Sequence, residues 1–269
     1  MKRPGPPHTA QRLPCPSRAG IFRFIPLFAF PALLLLVSAH GGCSRLDGVP
    51  MPKPYDALGQ VKLLDWILSE KPRSYRLLLA DSFENIRPWR PRAASTQLSD
   101  VRFVYKTPVG RAFEREKLII DGFTKTNHEQ SLFIHTSFDV PGRQVYWLRP
   151  DIEVRLPGKL FRASLWVHSN SYLHRLVLLF ENANGKEVRV SAGSLYWKGW
   201  RRLDLQLPQS LFKRGRRAKN RYLHKFTGFL IISHPRADPG DVALLLDNLI
   251  VLTDIREFRY PGVEYSDNW

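Results

Sequence analysis

From Tyr75 onward the chain consists of short runs in which hydrophobic and polar residues alternate, separated by Pro, Gly, Asn and Asp. In FRASLWVH, residues 161–168, every second side chain is apolar, and residues 200–207 repeat the pattern. A period of two is typical of a β-strand that buries one face and exposes the other. Residues 176–180 and 243–252 are apolar on both faces, which predicts central strands.

These patterns predict an all-β fold. The predicted strands lie near residues 75–84, 101–106, 117–121, 131–139, 143–148, 160–168, 173–181, 186–191, 200–207, 226–233 and 242–253. Asn184-Gly185 indicates a tight hairpin, because both residue types tolerate positive φ. So many short strands in one run favour a two-sheet antiparallel sandwich of the jelly-roll kind, with a closed barrel as the alternative.

One helix is predicted before the strands, in ALGQVKLLDWILSE, residues 57–70, where a helical stripe of apolar residues ends at Lys71-Pro72. The predicted organisation is a signal peptide over residues 1–39, a lead-in segment with this short helix over 40–74, a β-sandwich domain over 75–255 and a C-terminal arm over 256–269.

The first 39 residues have the pattern of an export signal. A basic region without acids precedes the apolar run 24–37, and Val-Ser-Ala follows at 37–39. We expect a periplasmic protein without a transmembrane anchor after cleavage. Retention as an anchor is the alternative, and lipidation at Cys43 is a second one. Cys15 would leave with the signal, so no internal disulfide is expected.

The charge is strongly basic. Lys and Arg number 41 against 24 acids, a net +17, which favours anionic partners. Residues 212–225 form a predicted exposed loop whose basic residues include Lys213, Arg214, Arg216 and Arg217. Export argues against nucleic acid as the partner, so an acidic protein surface or an anionic glycan is the better interpretation.

No catalytic motif is present. The sequence has no Gly-x-Ser-x-Gly elbow, and its histidines lack the spacings of a zinc site, so we expect no enzyme and no cofactor. Two acids can suffice for glycoside hydrolysis, and the acids considered for it are Asp81, Glu84, Asp139, Glu181 and Asp247. The predicted loops are too short for a deep cleft.

Asp247 and Asn248 interrupt an apolar strand. They predict a β-bulge in which the polar side chains bond to nearby backbone, which is the preferred interpretation. The alternative is a structural calcium site: the first and last strands of a jelly roll commonly pair, which would bring Asp81 or Glu84 near Asp247.

Aromatic residues supply candidate contacts. Trp166 and Trp200 fall on outward positions of their strands, and Trp197 precedes the second of these strands. Exposed indoles stack on sugars and also anchor protein interfaces. Coverage of these rings by the second sheet is the competing interpretation.

An ordered set of segments resembles a known family. FRASLWVHSN, LVLLFENANGKEV, SLYWKGWRRLDLQLP, FTGFLIISHP and ALLLDNLIVLTDI follow one another in this order. Together they resemble FlaA, the outer-layer (sheath) protein of the spirochaete periplasmic flagellar filament. The basic loop and Cys43 depart from that pattern.

The resemblance implies a non-catalytic sandwich, similar to galactose-binding and carbohydrate-binding-module folds. It would coat the filament, bind flagellin core proteins and other sheath subunits, and contribute to motility. A non-catalytic periplasmic glycan-binding module or lipoprotein is the alternative. The polar tail, with Tyr260, Tyr265 and Trp269, is interpreted as an arm that docks on an adjacent subunit.

Overall fold

Twelve β-strands and two α-helices form the part of the chain that the computed structural model describes, residues 53, 55–94, 96–212 and 223–256. The helices are α1 (Ala57–Glu70) and α2 (Arg111–Asp121), and a 3-10 turn covers Gln209–Phe212. The strands are β1 (Tyr75–Asp81), β2 (Trp89–Arg92), β3 (Ser99–Val104), β4 (Ser131–Phe138), β5 (Val145–Pro150), β6 (Val154–Pro157), β7 (Lys159–Asn170), β8 (Arg175–Glu181), β9 (Glu187–Ser194), β10 (Lys198–Gln206), β11 (Leu223–Ile232) and β12 (Gly240–Asp254).

The strands form two antiparallel sheets. Sheet A has the order β10-β7-β12-β4-β3, with β1 also paired to β12, and sheet B has the order β2-β5-β11-β8-β9, with β6 also paired to β11. The predicted all-β, two-sheet antiparallel sandwich is confirmed. The hairpin at Asn184-Gly185 is also confirmed, since β8 pairs with β9 around it.

β12 is the longest strand of sheet A, and it pairs with two different strands, one after the other, along the same edge. Its residues up to Leu246 pair with β4, and from Leu249 onward it pairs with β1. The predicted adjacency of the first and last strands is therefore confirmed. Between these two stretches the pairing of β12 with β7 shifts register, between Asp247 and Ile250.

The core lies between the sheets and contains the alternating apolar residues that the sequence pattern marks. At its centre Phe226 and Phe229 lie 5.0 Å apart by ring centroid, and Trp89 stacks 5.4 Å from Phe229. These rings are buried and come from both β2 and β11. Aromatic packing of this kind fixes the short strand β2 against the core.

Helix α1 spans the predicted residues. The side chain of Asp56 accepts a hydrogen bond from the backbone N–H of Gly59 at 2.9 Å and so caps the first turn. The apolar stripe of α1 is buried against the outer face of sheet A, where Leu64 and Ile67 line a small gap beside Ile250.

Helix α2 corrects the prediction of a strand at residues 117–121. The buried residues Phe113, Glu116 and Ile120 follow a helical period, but one of them is charged. A strand was predicted here because Leu118, Ile119 and Ile120 form a short run of apolar residues, which is typical of a buried strand. The short strands β2 and β6 were also not predicted, because each is four residues long and contains a proline.

Candidate functional site

Trp166 is buried, contrary to its predicted role as an exposed contact. Its side chain does point out of sheet A, but α2 covers it and leaves 4% of the residue exposed. The ring of Phe113 meets the indole edge-on at 5.7 Å, and the indole Nε1 donates to Glu116 Oε1 at 2.7 Å. The orientation was predicted correctly and the cover was missed, since α2 was not predicted.

Trp197 is also buried, at 8% exposure, and packs into the main core. Its Nε1 donates to the carbonyl oxygen of Gly199 at 3.1 Å, and Arg201 lies over its ring at 4.7 Å. Trp200 is partly exposed and meets His168 edge-on at 5.4 Å. The three tryptophans therefore do not form one exposed platform of the kind that stacks on sugars.

The remaining predicted contacts lie outside the described residues. They are Lys213, Arg214, Arg216 and Arg217 of the basic loop and Tyr260, Tyr265 and Trp269 of the tail. The signal segment 1–39 and Cys43 also lie outside them. Their roles stay predictions.

A buried ion cluster joins α2 to sheet A. Arg202 donates from Nε to Glu116 Oε2 at 2.5 Å and also forms an ion pair with Asp204. Burial raises the pKa of Glu116. Burial opposes the charge on Arg202, but the carboxylates of Asp204 and Glu116 together raise the pKa of its guanidinium. Each charge has a partner, so the cluster holds the helix in place.

Asp247 and Asn248 form the predicted bulge. Asn248 has a left-handed φ of 44°, and the register shift of β12 falls at these residues. The Ser131 hydroxyl lies 2.6 Å from the Lys106 carbonyl oxygen and 2.9 Å from Asp247 Oδ2. A hydroxyl has one proton to donate, so a protonated Asp247 can donate to Ser131 while Ser131 donates to Lys106.

The protonated form agrees with the electrostatics of the bulge. Burial raises the pKa of Asp247 to about 8, a hydrogen bond donated by Ser131 to the ionised carboxylate opposes this, and the nearby carboxylates of Glu84 and Glu116 add to it. Asn248 is fully buried, and neither polar atom of its side chain has a hydrogen-bond partner among the described residues. The expectation that both side chains bond to neighbouring backbone is wrong for Asn248.

Two of the other acids considered for catalysis or calcium binding, Asp81 and Glu84, have partners of their own. Asp81 accepts from the backbone N–H of Phe83 and from Arg87, at 2.8 and 3.0 Å. Glu84 accepts from two backbone N–H groups, those of Glu129 and Gln130. Both acids line a polar cleft of about 460 Å³ after β1. Within the described ranges no group of three His, Cys, Asp or Glu side chains is placed to hold a metal, and a structural calcium stays a prediction.

The outer face of sheet B carries neither helix and presents a basic surface, which we call the sheet B face. Seven basic residues point outward from its strands, between core residues that point inward: Arg90, Arg92, Arg149, Arg155, Arg175, Arg189 and Lys225. Two acids on these strands do so, Glu181 and Glu187, and the loop acids Asp151 and Glu153 form ion pairs with Arg90, Arg155 and Lys225.

Trp147 lies at the centre of the sheet B face. Its ring packs against a small apolar floor formed by Val177, Leu179 and Leu230. The guanidinium carbons of Arg149 and Arg189 each lie 5.3 Å from its ring centroid. Trp147 and its two arginines were not predicted as a contact site, although the alternation in VYWLR, residues 145–149, puts Trp147 and Arg149 on one face.

Residues 154–260, which include seven of the twelve strands and the bulge, match the model of the family described as flagellar filament outer layer protein Flaa. The predicted resemblance is confirmed. A Brachyspira hyodysenteriae protein whose name describes it as flagellar filament outer layer-like is 26% identical over 106 residues, which are 39% of this chain and 49% of that protein. The matched part thus spans about half the length of this outer-layer-like relative.

Solved structures with a similar arrangement include carbohydrate-binding modules. The family 11 module of the Clostridium thermocellum cellulase Lic26A-Cel5E is 12% identical with a TM-score of 0.36, over 65% of this chain and 94% of that one. TmCBM61, solved with β-1,4-galactotriose, is 16% identical with a TM-score of 0.34, over 64% and 90%. No helix in the described part of the chain is long and apolar enough to cross a membrane.

Proposed function

We propose that the protein is a non-catalytic structural component of the outer layer of the periplasmic flagellar filament. It binds flagellin core proteins and neighbouring outer-layer subunits, and it contributes to motility. The observation that carries the proposal is the family match over residues 154–260, which covers the ordered motifs that prompted the resemblance.

The physical properties of the chain support this function. A coat is built from many copies of a rigid module, and a two-sheet sandwich with a packed core supplies one. The net charge of +17 attracts the chain to acidic surfaces, which speeds encounter and orients docking. The predicted signal peptide would deliver it to the periplasm, where such filaments lie.

The experiment is to purify periplasmic filaments and identify their proteins by mass spectrometry. This chain should be present in a constant ratio to flagellin through successive washes, whereas an abundant soluble periplasmic protein should be lost. Deleting the gene should thin the filaments and reduce motility. If the chain washes away with the soluble control, the proposed function is wrong.

A further inference from the structure

The sheet B face carries more positive charge than its own acids neutralise. Arg149 and Arg189 both contact Glu187, at 3.4 and 3.0 Å, so two cations share one carboxylate. Arg92 and Arg175 are exposed, and neither has an ion-pair partner among the described residues. Arg92 stands directly across from Trp147 in the pairing of β2 with β5. One of the two free cations, Arg92, therefore borders the central tryptophan.

The cations on this face are held in place before any partner arrives. The ring of Trp147 supports two guanidinium groups, an arrangement that stabilises the cations and limits their rotamers. The floor residues Leu179 and Leu230 are almost fully buried, so the ring has a firm base. Preorganised arginines lose less entropy when they bind carboxylates, and their planar groups suit bidentate pairing.

The same arrangement disfavours a sugar as the occupant. A sugar ring would stack on the indole, but two guanidinium groups already lie against it. Carboxylates, in contrast, would add to the existing contacts, because each arginine keeps N–H groups beyond those that reach Glu187.

We propose that the sheet B face is the docking surface for an acidic segment of a partner protein. Carboxylates of the partner pair with Arg92, Arg149 and Arg189. The geometry of the sheet B face supports this docking whether or not the partner belongs to a filament.

The test measures binding of fluorescein-labelled oligoglutamate to the purified full chain by fluorescence anisotropy. The double variant R149E/R189E should bind the peptide more weakly by about tenfold or more. It removes two arginines that pair with the peptide's carboxylates and adds two glutamates that repel them. W147A should also weaken binding, since it removes the support of both arginines. Affinity for the parent chain should fall as salt rises.

The matched control is R73E/R111E, which changes the net charge equally at two exposed arginines away from this face. The affinity of this control should stay within about twofold of that of the parent chain. If binding depended on net charge alone, both charge reversals would weaken it equally. Thermal unfolding of each variant confirms that it is folded, and R149Q/R189Q provides a milder second pair. Equal weakening by both charge reversals would overturn the proposal. So would displacement of the peptide by oligogalacturonate at lower concentration than by unlabelled oligoglutamate, since that would make an anionic glycan the occupant.

Discussion

At the scale of single residues, four positions inside the segments that carry the family resemblance have left-handed backbone. They are Gly185, Gly199, Gly228 and Asn248, with φ of 77°, 90°, 133° and 44°. Gly228 and Asn248 lie where a strand departs from regular pairing, and Gly and Asn are the residues that tolerate this conformation. Trp197 donates to the carbonyl of Gly199, while Asn248 forms the bulge.

Gly228 has no room for a side chain. A Cβ at this position would lie 2.1 Å from the carbonyl oxygen of Leu148, which is backbone and cannot move aside cheaply. We expect Gly228→Ala to lower the free energy of unfolding by about 2 to 4 kcal/mol, measured by urea denaturation. Gly193→Ala is the control, because Gly193 has a φ of 91° but open space around its Cβ position. Similar losses in both variants would contradict this account.

The Asp247 carboxyl should make stability fall as pH rises. Its pKa is about 8 in the folded chain and near 4 when unfolded, so between these values the folded state binds the extra proton. The stabilising contribution is complete below about pH 4 and is lost as pH rises through about 8.

Asp247→Asn tests this directly, since the amide can donate to Ser131 as the protonated acid does. Relative to the parent chain, the variant should gain about 4 kcal/mol between pH 5 and pH 9, measured by denaturation at each pH. The neighbouring acids Glu84 and Glu116 remain in both chains, so their effects largely cancel in the difference. A constant difference across this range would show that Asp247 does not titrate there.

At the scale of elements, alternation of apolar and polar residues was enough to predict most strands and the order in which they occur. Helix α2 could not be found in this way, because its buried face includes Glu116, and a charge on an apolar face hides the period. Its partner Arg202 lies on β10, far away in the sequence, so only the folded chain shows why the charge is buried. The same helix decides the exposure of Trp166.

Removing Glu116 should release α2. Glu116→Ala leaves Arg202 buried with one carboxylate fewer and removes the acceptor of the Trp166 indole, so we expect a loss of about 3 to 5 kcal/mol. Glu114→Ala is the control: Glu114 forms an exposed pair with Lys117 on the same helix, which should cost about 0.5 kcal/mol. Hydrogen exchange of the α2 amides and Trp fluorescence would measure both. If α2 stays protected in Glu116→Ala, the ion cluster does not hold it.

At the scale of the whole molecule, the two outer faces differ in what covers them. Sheet A is covered by α1 and α2, whereas sheet B presents arginines and one tryptophan to solvent. The sequence predicted a basic protein with surface partners, but two of the three tryptophans that it offered as contacts, Trp166 and Trp197, are buried. Which face a residue occupies follows from alternation, but what covers that face depends on contacts between segments distant in sequence.

The tail gives a prediction at this scale. β12 ends at Asp254, so a chain without residues 256–269 keeps every strand that the structure describes and should unfold at nearly the same temperature. If the tail is an arm that docks on a neighbouring subunit, the truncated chain should be lost from washed filaments while the parent chain is retained. Normal retention of the truncated chain would rule out the arm.

The pairing of β1 with β12 also has a consequence for biosynthesis. The earliest strand of the sandwich finds its neighbour only when the latest one has left the ribosome, so sheet A cannot close before β12 has emerged. Nascent chains stalled before residue 240 should therefore be cut rapidly by protease, while the released chain resists it. Late closure would keep the polypeptide extended and fit for threading through a translocation channel.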